Sequence, residues 1–532
     1  MSRFSHRLSD TSFDLAVIGG GVHGLFAALE AATHGASVVL VERDDYGAGL
    51  SSNHQRTVHG GLRALQSGQI GKTRAQIAER RDWALMAPHL LRPLPFLFPT
   101  HRALTRSRLA VGTALRLYDR LGRHRNDDVP PALHLPASRL YSVAETAARF
   151  PGLVPEGVTG GAVWYDYQVR HPDRLNWLIA LAAQRAGALL CNHADAVDLL
   201  RDGRRVTGVR VADRLSSTIV DVAAHRVLLC AGGALPALHA RFGLGASPRL
   251  VRASGLLVDR PAIDMALAAR GSSGRMLTAT PWNGYWLIGT FQTNVPVESG
   301  SNPRPSRAEI DAMLDDTNAA FPTLRLRRQD VRLVHSGLTP AVVLRRRAEL
   351  MPDSRVIAHG ADGTAGVFSI VGVKFTTARS TALRALRQMG LAPAQTSSTP
   401  PRLPHGHTDD ADARLRAACL AAGVALDDDV FTHLVDWYAT EAVDVLELSA
   451  AVGGLQRLAS GTPVLDGEVT YAVERSHAAS LADVVLRRTR LGTTGHPGGA
   501  ALDRAAELLT TALSWSPETR QAQLAEVEAR FA

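Results

Sequence analysis

The stretch "FDLAVIGGGVHGLFAALEAATHGASVVLVER", residues 13–43, decides the fold. A short apolar run enters a glycine turn, small apolar residues follow at helical spacing, and a second apolar run ends at Glu42. This is a βαβ unit. Its turn reads Gly19-x-Gly21-x-x-Gly24. The glycines allow a tight turn and close approach of a pyrophosphate at the helix N-terminus, and the terminal acid accepts hydrogen bonds from an adenosine ribose. Glycine-rich turns by themselves are common. With strand, helix and acid all in place, this one predicts dinucleotide binding.

Two later segments point to FAD rather than NAD. "HRVLLCAGG" (225–233) is an apolar strand ending at Ala231 and Gly232, of the kind that returns to the dinucleotide sheet far downstream. "DGTAGVFSIVGVKFTTARSTALRAL" (362–386) is a strand, then Gly372, then a helix predicted to start near Thr376. The N-terminus of that helix can face the end of a flavin where negative charge accumulates on reduction. Each segment alone also fits an ordinary βα connection. Together they predict a flavoprotein, and with no cysteine near 59 or 374 the FAD is expected to be non-covalent.

The 532 residues exceed one core and predict two or three domains. With 45% hydrophobic and 20% charged residues and no run of about 18 apolar ones, the chain reads as soluble and globular. The opening "MSRFSHRLSDTSFDL" holds no signal-peptide core, so a cytoplasmic location is expected. Cys191, Cys230 and Cys419 are too scattered for a metal site or a disulfide framework and read as buried thiols. Basic residues exceed acidic ones, 59 to 50, and most are arginines. That balance suits an anionic cofactor and substrate or an anionic membrane surface. No nucleic-acid module surrounds the basic clusters, and nucleic-acid binding is not expected.

The fold class expected is α/β plus α+β. A discontinuous Rossmann-type FAD-binding domain takes 13–90, 150–245 and 356–390. An antiparallel-sheet substrate domain takes 91–149 and 246–355, where alternating runs such as "GYWLIGTFQT" (284–293) predict strands roofing the flavin. A linker covers 391–410, and 411–532 is helical by pattern. Within it, Arg487, Arg488 and Arg490 are expected at the surface or in salt bridges.

The segment "SSNHQRTVHGGLRAL" (51–65) is neither a strand nor a clean helix. Its "HGGLRAL" resembles the "HGGLRYL" of the FAD-dependent glycerol-3-phosphate dehydrogenases, within the wider D-amino-acid-oxidase-like group. "PWNGYWLIGT" (281–290) resembles that family's "PW...IGT", "SIVGVKFTT" (369–377) its "SVFGGKLTT", and the arginine-rich segment near 487 its "RRT" helix. The resemblance implies that Ser51 and Ser52 contact the cofactor, and that His59, Gly60 and Gly61 let the chain pass close to the isoalloxazine. It also implies that Arg63 grips an anionic group of the substrate, as guanidinium grips phosphate or carboxylate. Lys374 would stabilise developing charge, His59 would accept the proton, and Arg346, or else Arg345 or Arg347, would be a second anchor. A histidine beside Gly-Gly also suits simple satisfaction of a turn carbonyl.

Several pocket positions depart from the family. Thr339, in "SGLTP", stands where an arginine is expected, Ala64 replaces a tyrosine, "ASG" ending at Gly255 replaces "GSH", and Gln292 replaces an acid. The resemblance therefore implies hydride transfer from a C–OH group to flavin, with glycerol 3-phosphate or a related polyol phosphate as default substrate. The departures predict weak activity on glycerol 3-phosphate. They leave open another hydroxy acid, an amine or a larger glycosylated substrate, or a flavin-binding partner or sensor without turnover. Quinone or oxygen is the expected electron acceptor, peripheral contact with the inner membrane and a homodimer stay open, and no strongly amphipathic anchoring helix is evident.

Overall fold

The computed structural model describes residue 8 and residues 11–531, apart from 154–156, 246, 295, 299–303, 345–346, 362, 394–398 and 406–409. The opening stretch folds as β1 (Leu15–Ile18), α1 (Val22–Thr33) and β2 (Val38–Val41). Every residue of both strands is buried. That double-sided burial explains their unbroken apolar character.

β1 lies between β2 and the distant strand Val227–Leu229, parallel to both. The six-stranded sheet runs Arg355–Ala358, Val367–Val371, Val227–Leu229, β1, β2, Leu189–Cys191. Its one antiparallel pair is the edge hairpin of Arg355–Ala358 with Val367–Val371. On one face α1 packs between helices Pro172–Arg185 and Ala378–Gln388. A three-stranded meander, Ala194–Asp202, Arg205–Asp213 and Ile219–Ala223, shares the apolar core on the other.

A ten-stranded sheet faces this unit and takes in β3 (Thr57–Val58) and β4 (Leu91–His101). Between them lie α2 (Leu62–Gln66) and α3 (Ile70–Met86). The sheet is antiparallel except where β4 meets Ala266–Arg270. Strand Val158–Val169 corrects the expected boundary at 150. It pairs with β4 along its length and with β3, so it belongs to the substrate sheet. Its bulky Trp164, Tyr165 and Tyr167 suit the broad antiparallel roof, and the chain rejoins the parallel sheet only through helix Pro172–Arg185. Asn283 and Gly284, with φ of 49° and 83°, make the tight hairpin that turns the strand ending at Trp282 back along Tyr285–Gln292.

Residues beyond 410 are helical, from Ala411–Ala422 to Pro517–Phe531. The expected linker falls partly outside the described residues. The segment "TYAVERSHAASLADVVLRRTRLG" is not one helix: it breaks at His477, φ 58°, and resumes as a wide turn over Val484–Arg488. Arg487 and Arg488 are salt-bridged but not on the surface. Both are buried and converge on Asp45, just after β2, at 2.6 and 2.7 Å, and Arg487 also holds Asp483 at 2.6 Å. Burial pushes the Asp45 carboxyl up, but Arg488 and then Arg487 outweigh it and hold it below the ordinary carboxylate range. Cys191 and Cys230 are buried, whereas Cys419 is partly exposed.

This buried cluster fastens the helical region to the nucleotide-binding sheet. Asp45→Asn leaves the buried Arg488 without a carboxylate and takes one of two from Arg487, and is expected to destabilise the protein by about 3 to 5 kcal/mol in chemical denaturation. Because the folded-state pKa is depressed, the deficit stays constant at neutral pH and shrinks only as pH falls below the ordinary value of 3.8. Unchanged stability would show that the cluster merely breaks even with its desolvation.

Candidate active site

Between the two sheets lies a cavity of about 2600 Å³, several times the size of a pocket for one small ligand. Its walls run from the glycine turn to the antiparallel roof. Gly19, Gly21, Glu42, Ser51, Ala231 and Gly232 line one region, and His59, Gly61, Arg63, Ala64, Gly255, Gln292, Thr339, Gly372, Lys374 and Thr376 line the rest.

The glycine turn has the shape that a dinucleotide needs. Gly19 has φ 108°, and a Cβ there would sit 2.7 Å from the Cys230 carbonyl. Gly24 packs on the Gly19 carbonyl, so a side chain there would collide with the strand. Gly21 is different. A Cβ on it would meet only Ser51 Oγ, at 3.2 Å. Its open side faces the cavity, so the demand for glycine comes from what fills that space. Glu42 accepts hydrogen bonds from Gly20 N at 2.6 Å and Asp44 N at 2.8 Å, and burial pushes its carboxyl up to about 7 against those two bonds. Ser51 Oγ accepts from Val22 N at 2.9 Å, in the first turn of α1. These residues fit the adenosine diphosphate half of FAD. Gly21 and the amide end of α1 would take the pyrophosphate, and Glu42 the ribose.

Ser52 does not join them. Its hydroxyl donates to the Gly47 carbonyl at 2.8 Å, within its own turn, and it does not line the cavity. Gly60 is likewise turned away, because a Cβ there would strike Tyr118 and Arg80. Its bareness makes room for protein rather than for a flavin ring. Gly61 has φ 83° and caps α2 against Gln76. The helix near 376 begins at Ala378, and Thr376 is buried with Oγ1 accepting from His59 N at 3.2 Å. Arg346 lies outside the described residues.

His59 is held from behind. Its Nδ1 lies 3.2 Å from Asp166, whose other oxygen accepts from Gly60 N at 2.8 Å and from Arg80 at 2.5 Å. Burial would raise the Asp166 pKa, but the His59 hydrogen bond and the charge of Arg80 hold it low. As an ionised acceptor, Asp166 fixes the His59 proton on Nδ1 and leaves Nε2 free to accept. Asp166 and Arg80 escaped sequence reasoning. The one signal was a carboxylate amid the aromatic residues of "VWYDYQV", where a buried acid needs a partner.

Cations gather at another corner. Arg63 on α2, Lys72 on α3 and Lys374 lie close enough that Lys72 and Arg63 both lower the Lys374 pKa, after burial. Arg63 makes no ion pair among the described residues. Lys72 was not read from the sequence, since a lone lysine at a helix start looks like a solvated residue.

The four altered positions do face the cavity. Thr339 is buried opposite Val251, and Gly255 lies where a Cβ would sit 3.0 Å from Gln55. His335, on the roof strand, and His54 also line the cavity, and both are driven towards their neutral forms, first by burial and then by the charge of Arg56.

The family model described as FAD-dependent oxidoreductase matches residues 14–382, and that of the C-terminal domain of alpha-glycerophosphate oxidase matches 406–520. A glycerol-3-phosphate dehydrogenase of Mycobacterium leprae is 32% identical over 541 residues, covering 98% of this chain and 89% of that protein. The crystal structure of a glycerol-3-phosphate dehydrogenase from Bacillus halodurans complexed with FAD superposes with a TM-score of 0.76 at 24% identity, covering 98% of this chain and 95% of that one. The L-alpha-glycerophosphate oxidase of Mycoplasma pneumoniae shares the fold over 74% of this chain, with a TM-score of 0.53 at 15% identity. With a nucleotide cradle, a braced histidine and a cationic corner in one cavity, and with relatives that match along the whole chain, the protein belongs to the FAD-dependent glycerol-3-phosphate dehydrogenase family.

Proposed function

We propose that this protein oxidises the secondary hydroxyl of glycerol 3-phosphate to a ketone, with FAD as immediate acceptor. The observation that carries it is the single cavity joining the Gly21–Glu42 cradle to the His59 and Arg63–Lys374 corners. Arg63 and Lys374 bind the phosphoryl group and orient the carbon chain. His59 Nε2 takes the hydroxyl proton, and the Asp166 carboxylate stabilises the imidazolium that results. Bound FAD supplies the acceptor for the hydride leaving the same carbon. Lys374 offsets the negative charge that develops on the substrate oxygen.

Quinone or oxygen as the final acceptor, and contact with an inner-membrane surface, belong to the same proposal. One feature missed in the sequence supports the membrane contact. Helix Arg108–Leu121 is amphipathic, and beside the cavity-lining Thr105, Arg106 and Ala110 it exposes Leu109 and Leu117, with Leu104 just before it. Arg102, Arg108, Arg116 and Arg120 surround those leucines, a pattern suited to anionic lipid. No helix among the described residues is long and apolar enough to cross a membrane.

Thr339 and Ala64 favour a second reading, a different or larger polyol phosphate. Anaerobic addition of glycerol 3-phosphate should bleach the bound flavin, and glycerol should not. No bleaching would overturn the substrate. If Ala64→Tyr with Thr339→Arg raises kcat/KM for glycerol 3-phosphate roughly 10- to 150-fold, the pocket has been reshaped for the second substrate class.

Glu42 makes FAD binding pH-dependent. Ribose hydroxyls donate to the carboxylate, so FAD favours its ionised form. Because the free carboxyl titrates at about 7, affinity should rise with pH towards that value and level off above it. Titration of apoprotein with FAD at several pH values measures this, and Glu42→Gln should flatten the curve. A pH-independent affinity in the unmodified protein would contradict the role given to Glu42.

A further inference from the structure

The cationic corner contains more than the two residues expected of it. Lys72, in the first turn of α3, lines the cavity with its side chain only 23% exposed. Its Nζ lies 2.7 Å from one oxygen of Asp353 and 2.8 Å from the other. Lys374 Nζ stands 3.9 Å from the same carboxylate. Asp353 is 58% exposed, in the turn between Leu350 and the edge strand Arg355–Ala358, and does not line the cavity. One exposed carboxylate therefore bridges two cations while Arg63 stands by without an ion pair among the described residues.

Three cations facing one cavity repel one another. Burial, then Lys72, lowers the Lys374 pKa, Asp353 partly offsets this, and Arg63 adds to the lowering. A second negative charge would relieve that repulsion. Thr339 on the roof strand carries no charge, and the cations of this corner are Arg63, Lys72 on α3 and Lys374.

We propose that Lys72 is an anion-binding, specificity-determining residue of this site and that Asp353 is its built-in competitor. In the free protein the Asp353 carboxylate, reaching Lys72 and Lys374 from outside the cavity, engages the same two ammonium groups that a phosphoryl oxygen of the substrate engages from within it. Because the carboxylate sits on an exposed turn, it can swing into solvent when the dianion arrives, and its own rehydration offsets part of the cost of desolvating the phosphate. The trade discriminates by charge. A dianionic phosphate gains from three cations and displaces one carboxylate, whereas a monoanionic carboxylate substrate only exchanges like for like.

The inference takes its ligand class from the reading of the substrate as a phosphate ester, and its test does not depend on turnover. Binding of radiolabelled inorganic phosphate to the FAD-loaded full chain is measured by equilibrium dialysis. The unmodified protein should bind it. Lys72→Met should weaken binding by about tenfold or more. Asp353→Asn should tighten it several-fold and lower the KM for glycerol 3-phosphate. Arg74→Met, an exposed charge loss on the same helix, should change neither value and serves as the control for net charge. Three results would overturn the inference: no binding by the unmodified protein, a Lys72→Met variant indistinguishable from Arg74→Met, or weaker binding in Asp353→Asn, which would make Asp353 a strut for Lys72. If phosphate binds as described but glycerol 3-phosphate leaves the flavin oxidised, the substrate assignment fails and the anion site stands.

Discussion

The buried carboxylate of Asp166 holds the reactive half of this protein together. It sits midway along strand Val158–Val169, opposite Leu94 of β4, and takes bonds from His59, Gly60 and Arg80. The segment it grips has little regular structure of its own, two residues of strand and five of helix. Without an internal ladder, that segment borrows its geometry from outside. Asp166 also has to be ionised, because Arg80, itself fully buried, would otherwise face no negative charge. A side chain at Gly60 would break the arrangement by displacing Arg80 and Tyr118.

Cofactor and substrate place opposite demands on one cavity. The nucleotide end needs backbone amides, bare glycines and a carboxylate, and the mostly parallel six-stranded sheet supplies all three at the ends of its strands. The substrate end needs positive charge in a partly dehydrated corner, where each cation raises the cost of the next. Arg63, Lys72 and Lys374 come from three different elements, and an exposed carboxylate holds two of them close in the free protein. Far from this corner, Arg487 and Arg488 meet Asp45 three residues beyond Glu42, so the helical region braces the loop at the nucleotide end.

Legibility in the sequence followed the range of the interaction. β1, α1 and β2 were readable because strand, turn and helix are local and each residue's neighbours lie within a few positions. The strand at 227 and the one at 367 were readable as strands; the first returns beside β1 and the second beside the first, in the same sheet. For Ser52 and Gly60 a family motif shows which residues recur but not which way each one faces. Ser52 turns to its own loop and Gly60 turns to Arg80. Asp166, Arg80, Lys72 and Asp353 stayed hidden for the opposite reason, since their partners lie up to 281 positions away and no periodic pattern links them. The strand at 158 was assigned to the wrong sheet because its small residues followed by aromatic ones do not say which sheet it joins.

The dependence of the site on Asp166 can be measured directly by stopped-flow reduction of the FAD-loaded Asp166→Asn protein with glycerol 3-phosphate. A neutral amide no longer stabilises the His59 imidazolium or fixes its tautomer. The account predicts, per bound flavin, a reduction rate lower by roughly 100- to 10,000-fold, the usual contribution of a positioned general base. A reduction rate within about threefold of the unmodified protein, with flavin content intact, would contradict it and leave His59 a turn residue rather than the proton acceptor.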